Sequence, residues 1–377
     1  MWDGRYLTRI DFRVLPILVA LMAISLMVIS SMTLGQVDLA EDRLLSPKAL
    51  GQLRWFAMGS VVYLFFVGLD YSKLREATWP FYGLCLLALF GLFFTRSSHQ
   101  VQRWYTLPII HVGVQPSELT KLAVVFALSW YLERVRSRAT SWRTAAIAGL
   151  IAGVPFLLIL KQPDLGTAMV LWPITLAIFY FGGVRPGLLR GMVVASALGF
   201  ALILSIFLGL LDHEEMRPTM TRFMKPYQYE RLNPDTHHQR AALIAIGSGG
   251  ITGSGWKKGT YSGKGWLPAA ETDSVFPAFV EEFGLLGAFA LLFLFYALLA
   301  FGFQVTAVAK DYFGRLLSAG ITVYIGMHVL TNVGMMCGLL PITGVPLTLV
   351  TYGGSSTFVT MAALGILQSI YSRRFMF

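Results

Sequence analysis

A soluble chain of 377 residues would fold as about two or three domains, but this one is 55% hydrophobic and only 13% charged. Its mean hydropathy of +0.63 sets it apart from soluble proteins, in which about a quarter of residues are charged. In so apolar a chain the net charge of +10 is better explained by basic residues that hold loops inside and meet anionic lipid than by nucleic acid, and no nucleic-acid partner is expected.

Taken in order, the chain shows nine or ten apolar stretches of roughly 17–25 residues, each able to cross about 30 Å of hydrocarbon. No ten-residue alternation suggests a barrel. The expected fold is therefore an all-α polytopic membrane protein, one integral membrane domain over 1–377. The first apolar run follows Arg5, Arg9 and Arg13, exceeds a signal-peptide core and lacks a small-residue cleavage site, so it is read as a retained helix. Ten transmembrane helices are predicted near 14–34, 51–69, 78–95, 115–133, 144–161, 165–182, 187–211, 276–303, 314–338 and 356–371. With the N-terminus inside, the C-terminus also returns to the cytoplasm. The inner ends then carry fifteen Lys and Arg against six on the short outer loops, a clear positive-inside bias. A large outer loop of about 65 residues, 211–275, joins helices 7 and 8 and carries eight more, which the rule tolerates in long loops. Cys85 and Cys337 sit inside apolar runs and read as packing residues. Pro155, Pro163, Pro173, Pro341 and Pro346 interrupt spans without matching places in two halves, unlike a transporter built of inverted repeats.

Four polar clusters fall on the predicted outer side. The first runs from Arg103 and Trp104 through Gln115, Ser117, Glu118 and Lys121, with Ser117 a candidate helix N-cap after Pro116. Glu118 and Lys121, three apart, share a helix face, and a charged pair just inside a span faces a cavity more often than lipid. In the second, Pro163 and Gly166 break two spans apart, and Asp164 can cap the helix that follows; exposed N–H groups there suit an anion. The third is the long loop. Residues 224–232 alternate basic and aromatic types, Arg231 among them, and suit a short interfacial helix. Adjacent His237 and His238 diverge by about 100° on a helix and make a poor metal site. The glycines of 247–255 lack a phosphate-loop context and suit close backbone packing beside a ligand. The fourth, 341–356, reads as a re-entrant loop whose hydroxyls and N–H groups line a cavity. At the end of the long loop Asp273 borders an apolar run, with Glu271, Glu281 and Glu282 nearby. A carboxylate so placed is costly and functional by default. Asp273 could take a proton from a hydroxyl while Arg103, Lys121 and Arg231 hold a phosphate leaving group.

The segments RWYTLPIIHVGVQPSELTKLA, KQPDLGTAMV, LPAAETDSVF with EEFGLLG, and NVGMMCGLLPITGVPL with YGGSS resemble the SEDS family (shape, elongation, division and sporulation). The resemblance runs from about Gln52 to Gln368, and the short N-terminus with KPYQYERL is closest to the elongation branch. It implies a ten-helix peptidoglycan glycosyltransferase of the bacterial inner membrane that polymerises lipid II, with Asp273 in the place of the family's presumed base. It further implies substrate contacts at Arg103, Glu118, Lys121, Asp164, Gln239, Glu281 and Ser355. A divalent cation, Mg²⁺ or Mn²⁺, is plausible for the family. So are a class B penicillin-binding protein transpeptidase and other elongation-complex membrane proteins as partners. The sequence departs from the family around the base: Ala269 replaces an acid, Glu271 a histidine and Ser274 a phenylalanine. Glu271 is the candidate to compensate for the lost acid. Two other functions stay open on the residues, a lipid II flippase and a non-catalytic scaffold of the wall-synthesis complex. The position of Asp273 at the outer face, not at midplane, favours the enzyme.

Overall fold

The structure, a computed structural model, describes residues 3–34, 44–94, 103–107, 112–162, 164–222, 226–233 and 236–375. Its long helices are α1 (Val14–Leu34), α2 (Pro47–Gly68), α3 (Leu74–Gly91), α4 (Pro116–Arg134), α5 (Trp142–Lys161), α6 (Leu165–Phe181) and α7 (Pro186–Phe207). Short helices α8 (His213–Met220), α9 (Pro226–Glu230), α10 (His237–Gly249) and α11 (Thr260–Gly263) follow. Then come α12 (Val275–Val308), α13 (Tyr312–Met336) and α14 (Gly354–Ser372). Seven of these helices are long and apolar enough to cross a membrane, which makes the chain a helical polytopic membrane protein. The other three long helices, α4, α6 and α14, are sheathed by their neighbours. On α4 and α14 buried residues run almost all round the axis, as expected for helices at the centre of a bundle. By contrast α7 buries only Ile206 and Phe207 and lies at the rim.

Helix starts follow local chemistry. The side chains of Ser46, Ser141, Asp164, Thr236 and Asp311 accept backbone N–H groups at the starts of α2, α5, α6, α10 and α13, each cap worth about 1 kcal/mol. At the end of the bundle away from Asp273, Arg75 joins Glu133 and Asp311 and so ties α3, α4 and the start of α13. Buried Arg373 donates to the carbonyls of Val67 and Gly68, the orphan acceptors at the end of α2.

The loop expected over 211–275 is not a simple excursion. It folds into α8–α11, and α10 packs along α12. Of the interfacial helix expected over 224–232, Pro226–Glu230 form α9, and 224 and 225 lie outside the described residues. Tyr229 there is buried, stacked on His213 at 4.3 Å and donating to its carbonyl at 2.7 Å, so protein contacts hold it. The glycines also find protein. Cβ atoms at Gly249 and Gly253 would fall 2.1 Å from the carbonyls of Val280 and Glu282, so close packing there is against α12. Gly284 breaks α12 with φ 65° and ψ −165°. Across the break, Ser254 and Gly255 donate to Glu281 and Glu282, and Leu285 and Leu286 donate to Gly250 and Ile251. The loop thus satisfies backbone groups that an unbroken helix would pair internally.

Candidate active site

The four polar clusters converge on one cavity of about 280 Å³. A hairpin of β1 (Tyr105–Leu107) and β2 (Val112–Val114), antiparallel with Tyr105 opposite Val114, sets Arg103 and Trp104 on its wall. The start of α4 supplies Gln115, Glu118 and Lys121, and the start of α6 supplies Asp164 and Thr167. Arg231 follows α9, Asp273 precedes α12, His328 comes from α13, and Thr343–Pro346 close the remaining side.

Lys121 and Glu118 are 1% and 3% exposed, too deep for an ion pair to survive without further partners. Lys121 Nζ donates to Glu118 Oε1 at 2.7 Å, lies 2.7 Å from His328 Nε2, and sits 5.2 Å from the Tyr324 ring centroid. His328 Nδ1 is 3.1 Å from the Pro346 carbonyl, which can only accept. The proton is therefore on Nδ1, and Nε2 takes the ammonium hydrogen. Glu118 Oε2 is buried with no hydrogen-bond partner. Ser117, the candidate cap of α4, lies inside the helix: Gln115 holds the N-cap position and Pro116 follows it. Ser117 instead donates to Asp164 Oδ2 at 3.2 Å. The same carboxylate accepts from Gln115 Nε2 at 3.0 Å, from the Thr167 hydroxyl at 2.9 Å and from Thr167 N at 3.3 Å, with Arg103 Nη1 at 3.9 Å. Asp164 thus locks α4, α6 and the hairpin together. Pro163, expected to make this break, lies outside the described residues.

Asp273 stands in a tight turn closed by Thr272 N and Ser274 N on the Ala269 carbonyl, with Ala269 at φ 48°. Asn332 on α13 donates to the carbonyls of Asp273 and Val345, at 2.9 and 2.8 Å, tying the turn to the 341–346 segment. A Cβ at Gly344 would stand 3.3 Å from Asp273 Oδ2. Burial pushes the Asp273 carboxyl above its ordinary value, while Arg231 and Arg103 oppose the shift. A second cavity of about 400 Å³ lies on the other side, lined by Thr236, His238 and Ile342 among others; Asp273, Arg231 and Gly344 line both. The arrangement puts a carboxylate of raised basicity, flanked by guanidinium groups, where two compartments meet.

The chain matches the FtsW/RodA/SpoVE family, described as cell cycle protein, over residues 12–374. The chain belongs to this family. Peptidoglycan glycosyltransferase MrdB of Escherichia coli is 33% identical over 375 residues, 99% of this chain and 95% of that one. Peptidoglycan glycosyltransferase RodA of Treponema pallidum is 29% identical over 430 residues, 97% and 98% of the two chains. Among solved structures, a chain from a peptidoglycan synthase complex that coordinates polymerization and crosslinking superposes with a TM-score of 0.74 at 27% identity, covering 98% and 99%. The rod shape determining protein RodA of Thermus thermophilus gives 0.69 at 25%, covering 98% of each.

In this FtsW/RodA/SpoVE member, Arg103, Glu118, Lys121, Asp164, Arg231 and Asp273 share the cavity, and four other predicted residues do not line it. Gln239 is buried and donates to the Met335 carbonyl at 2.9 Å. Glu271 pairs with Lys48 at 2.5 Å, and its carbonyl accepts from Tyr352 N at 3.0 Å, which holds it against the α2 and α14 starts instead of beside Asp273. Glu281 accepts from Tyr261 N and Ser262 N at 2.7 and 2.9 Å and caps α11. Ser355 donates to the Gly113 carbonyl at 2.7 Å and anchors the hairpin. His328 and Asn332 were not singled out from sequence, although polar side chains within an apolar span were the available signal. Among the described residues no three His, Cys, Asp or Glu side chains gather into a metal cage. A hard cation arriving with a pyrophosphate needs only one or two carboxylates, and Glu118 Oε2 is an oxygen left open for one.

Proposed function

We propose that this chain is the peptidoglycan glycosyltransferase of cell elongation, polymerising lipid II at the outer face of the bacterial cytoplasmic membrane. All ten long helices cross the bilayer in this reading, with both termini cytoplasmic and α8–α11 outside. The observation that carries it is Asp273 at the wall shared by two cavities, with Arg231 on the same wall and Arg103 in the first. The acceptor GlcNAc 4-hydroxyl attacks C1 of the donor MurNAc with inversion. The new bond is C1–O4, the bond broken is from C1 to the pyrophosphate oxygen, and undecaprenyl pyrophosphate leaves with the electron pair. The hydroxyl proton passes to the Asp273 carboxylate. Arg103 and Arg231 take up the charge on the departing oxygens, and Lys121, held between Glu118 and His328, completes that wall. A Mg²⁺ or Mn²⁺ ion brought by the substrate would be held through Glu118 and would neutralise pyrophosphate charge. The partner is a class B penicillin-binding protein transpeptidase, and other elongation-complex membrane proteins join them.

The test is polymerisation of purified lipid II by the wild type and by Asp273→Asn, each with the cognate transpeptidase. Glycan strands from the wild type alone are expected, with at least about a hundredfold loss in the variant. Strands from both would move the base to another carboxylate, and strands from neither, with both proteins folded and partnered, would favour transport or scaffolding.

A further inference from the structure

Ser274, next to Asp273, has a fully buried side chain whose hydroxyl oxygen makes two short contacts. It is 2.8 Å from the Pro268 carbonyl and 2.6 Å from His238 Nε2. A hydroxyl has one proton to donate, and a carbonyl can only accept. The Ser274 proton therefore points to Pro268, and the contact with His238 is closed by a proton on Nε2. That assignment makes His238 a donor to the residue beside Asp273. The histidine is itself held: Thr236 caps α10 by accepting Gln239 N at 3.2 Å, which fixes His238 in the first turn. Its imidazole is half-buried and lines the second cavity together with Asp273 and Arg231. Burial, with His237 and Arg231 beside it, pushes the imidazole below its ordinary range and keeps it neutral.

The turn needs such a brace. Its carbonyl at Ala269 takes two N–H groups with the residue in the left-handed region, a conformation that costs a non-glycine residue of order 1–3 kcal/mol. Asn332 holds one side of it through the Asp273 carbonyl. The His238–Ser274–Pro268 chain holds the other, between α10 and the strained turn. Sub-ångström placement of a catalytic base governs turnover more than binding, so a loose turn is read in kcat.

We propose that His238 is a positioning residue for Asp273: by donating through Nε2 to Ser274 it fixes the carboxylate at the wall shared by the two cavities. This rests on the glycosyltransferase reading above. The experiment measures initial rates of lipid II polymerisation, with the cognate transpeptidase, for the wild type, His238→Ala, His238→Gln, Ser274→Ala and the double variant His238→Ala/Ser274→Ala. His238→Ala is expected to lose about tenfold or more in kcat with KM within about twofold. Ser274→Ala, which also loses the bond to Pro268, should lose at least as much, and the double variant no more than Ser274→Ala alone, because the serine substitution already removes the bond to His238. His238→Gln keeps an N–H near the Nε2 position and should recover most of the loss, which a generally destabilised α10 would not allow. An unimpaired His238→Ala, losses that multiply in the double variant, or a glutamine variant no better than alanine would each overturn the proposal while the wild type makes strands. A wild type that makes none overturns the glycosyltransferase reading first, and this inference with it.

Discussion

The Asp273 side chain is half-buried between two cavities, and burial outweighs Arg231 and Arg103 in setting its proton affinity. A carboxyl whose folded pKa is raised above its unfolded value contributes stability in acid, below the unfolded value. That contribution is lost as pH rises through the folded value. At the pH where the carboxylate serves as a base it is ionised, and it then weakens the fold. Asp273→Asn is expected to melt above the parent at neutral and alkaline pH, and the two curves should converge in acid where both side chains are neutral. Thermal melting in detergent across that range checks it. A lower melting temperature for the asparagine variant at neutral pH would mean that the arginines more than offset the burial. The same cost made Asp273 conspicuous in the sequence, since an acid at the edge of hydrocarbon demands a reason. That argument flags residues without naming their partners. Glu281 and Glu271 carry the same signal, yet one caps α11 and the other meets Lys48, and only tertiary contacts tell them from Asp273. His328 escaped notice because it lies amid apolar neighbours, and its role depends on Lys121, 207 residues away.

Long helices were legible element by element, because about twenty consecutive apolar residues leave no alternative to a helix in lipid. The predicted span at 276–303 corresponds to α12, but the break inside it was hidden. Gly284 reads like any other glycine of an apolar run until the backbone of 250–255 is placed against it. Four hydrogen bonds cross at that point, and a Cβ on Gly284 would stand 2.4 Å from Gly253 N and 2.5 Å from the Ile251 carbonyl. Both obstacles are backbone and cannot rotate away. The φ and ψ of Gly284 also lie where only glycine is at ease. Gly284→Ala is therefore expected to cost more than about 3 kcal/mol and to abolish polymerisation through misplacement of the turn that carries Asp273. Gly247→Ala is the contrast. A Cβ there meets nothing within 4 Å, and α10 would gain up to about 1 kcal/mol of helix propensity. Yield of folded protein and melting temperature separate the two, and a tolerated Gly284→Ala would refute the account of the break.

Across the whole molecule, α6 divides two environments. Thr167 and Val170 face the polar cavity, whereas Leu165, Ala168, Met169 and Trp172, on the opposite face, line an apolar cavity of about 780 Å³ between α5, α6, α7 and α13. The two linings adjoin along α6, where Asp164 and Leu165, and Thr167 and Ala168, are neighbours in the chain. In the proposed reaction a lipid-linked pyrophosphate would use this division, with its head group among the cations and its hydrocarbon chain on the apolar wall. The little-buried α7 forms the outer side of that wall. Filling the apolar cavity should then weaken substrate binding without touching the chemistry. Gly199 on α7 suits the test, since it lines the cavity and a Cβ there meets nothing within 4 Å. Gly199→Trp is expected to raise KM for undecaprenyl-linked lipid II by about three- to tenfold, with kcat largely kept, because the ground state and the transition state pack the prenyl chain on this wall alike. A substrate with a short prenyl chain, which leaves the cavity mostly empty, should be handled equally by wild type and variant. Equal loss with both substrates would place the hydrocarbon chain elsewhere on the bundle.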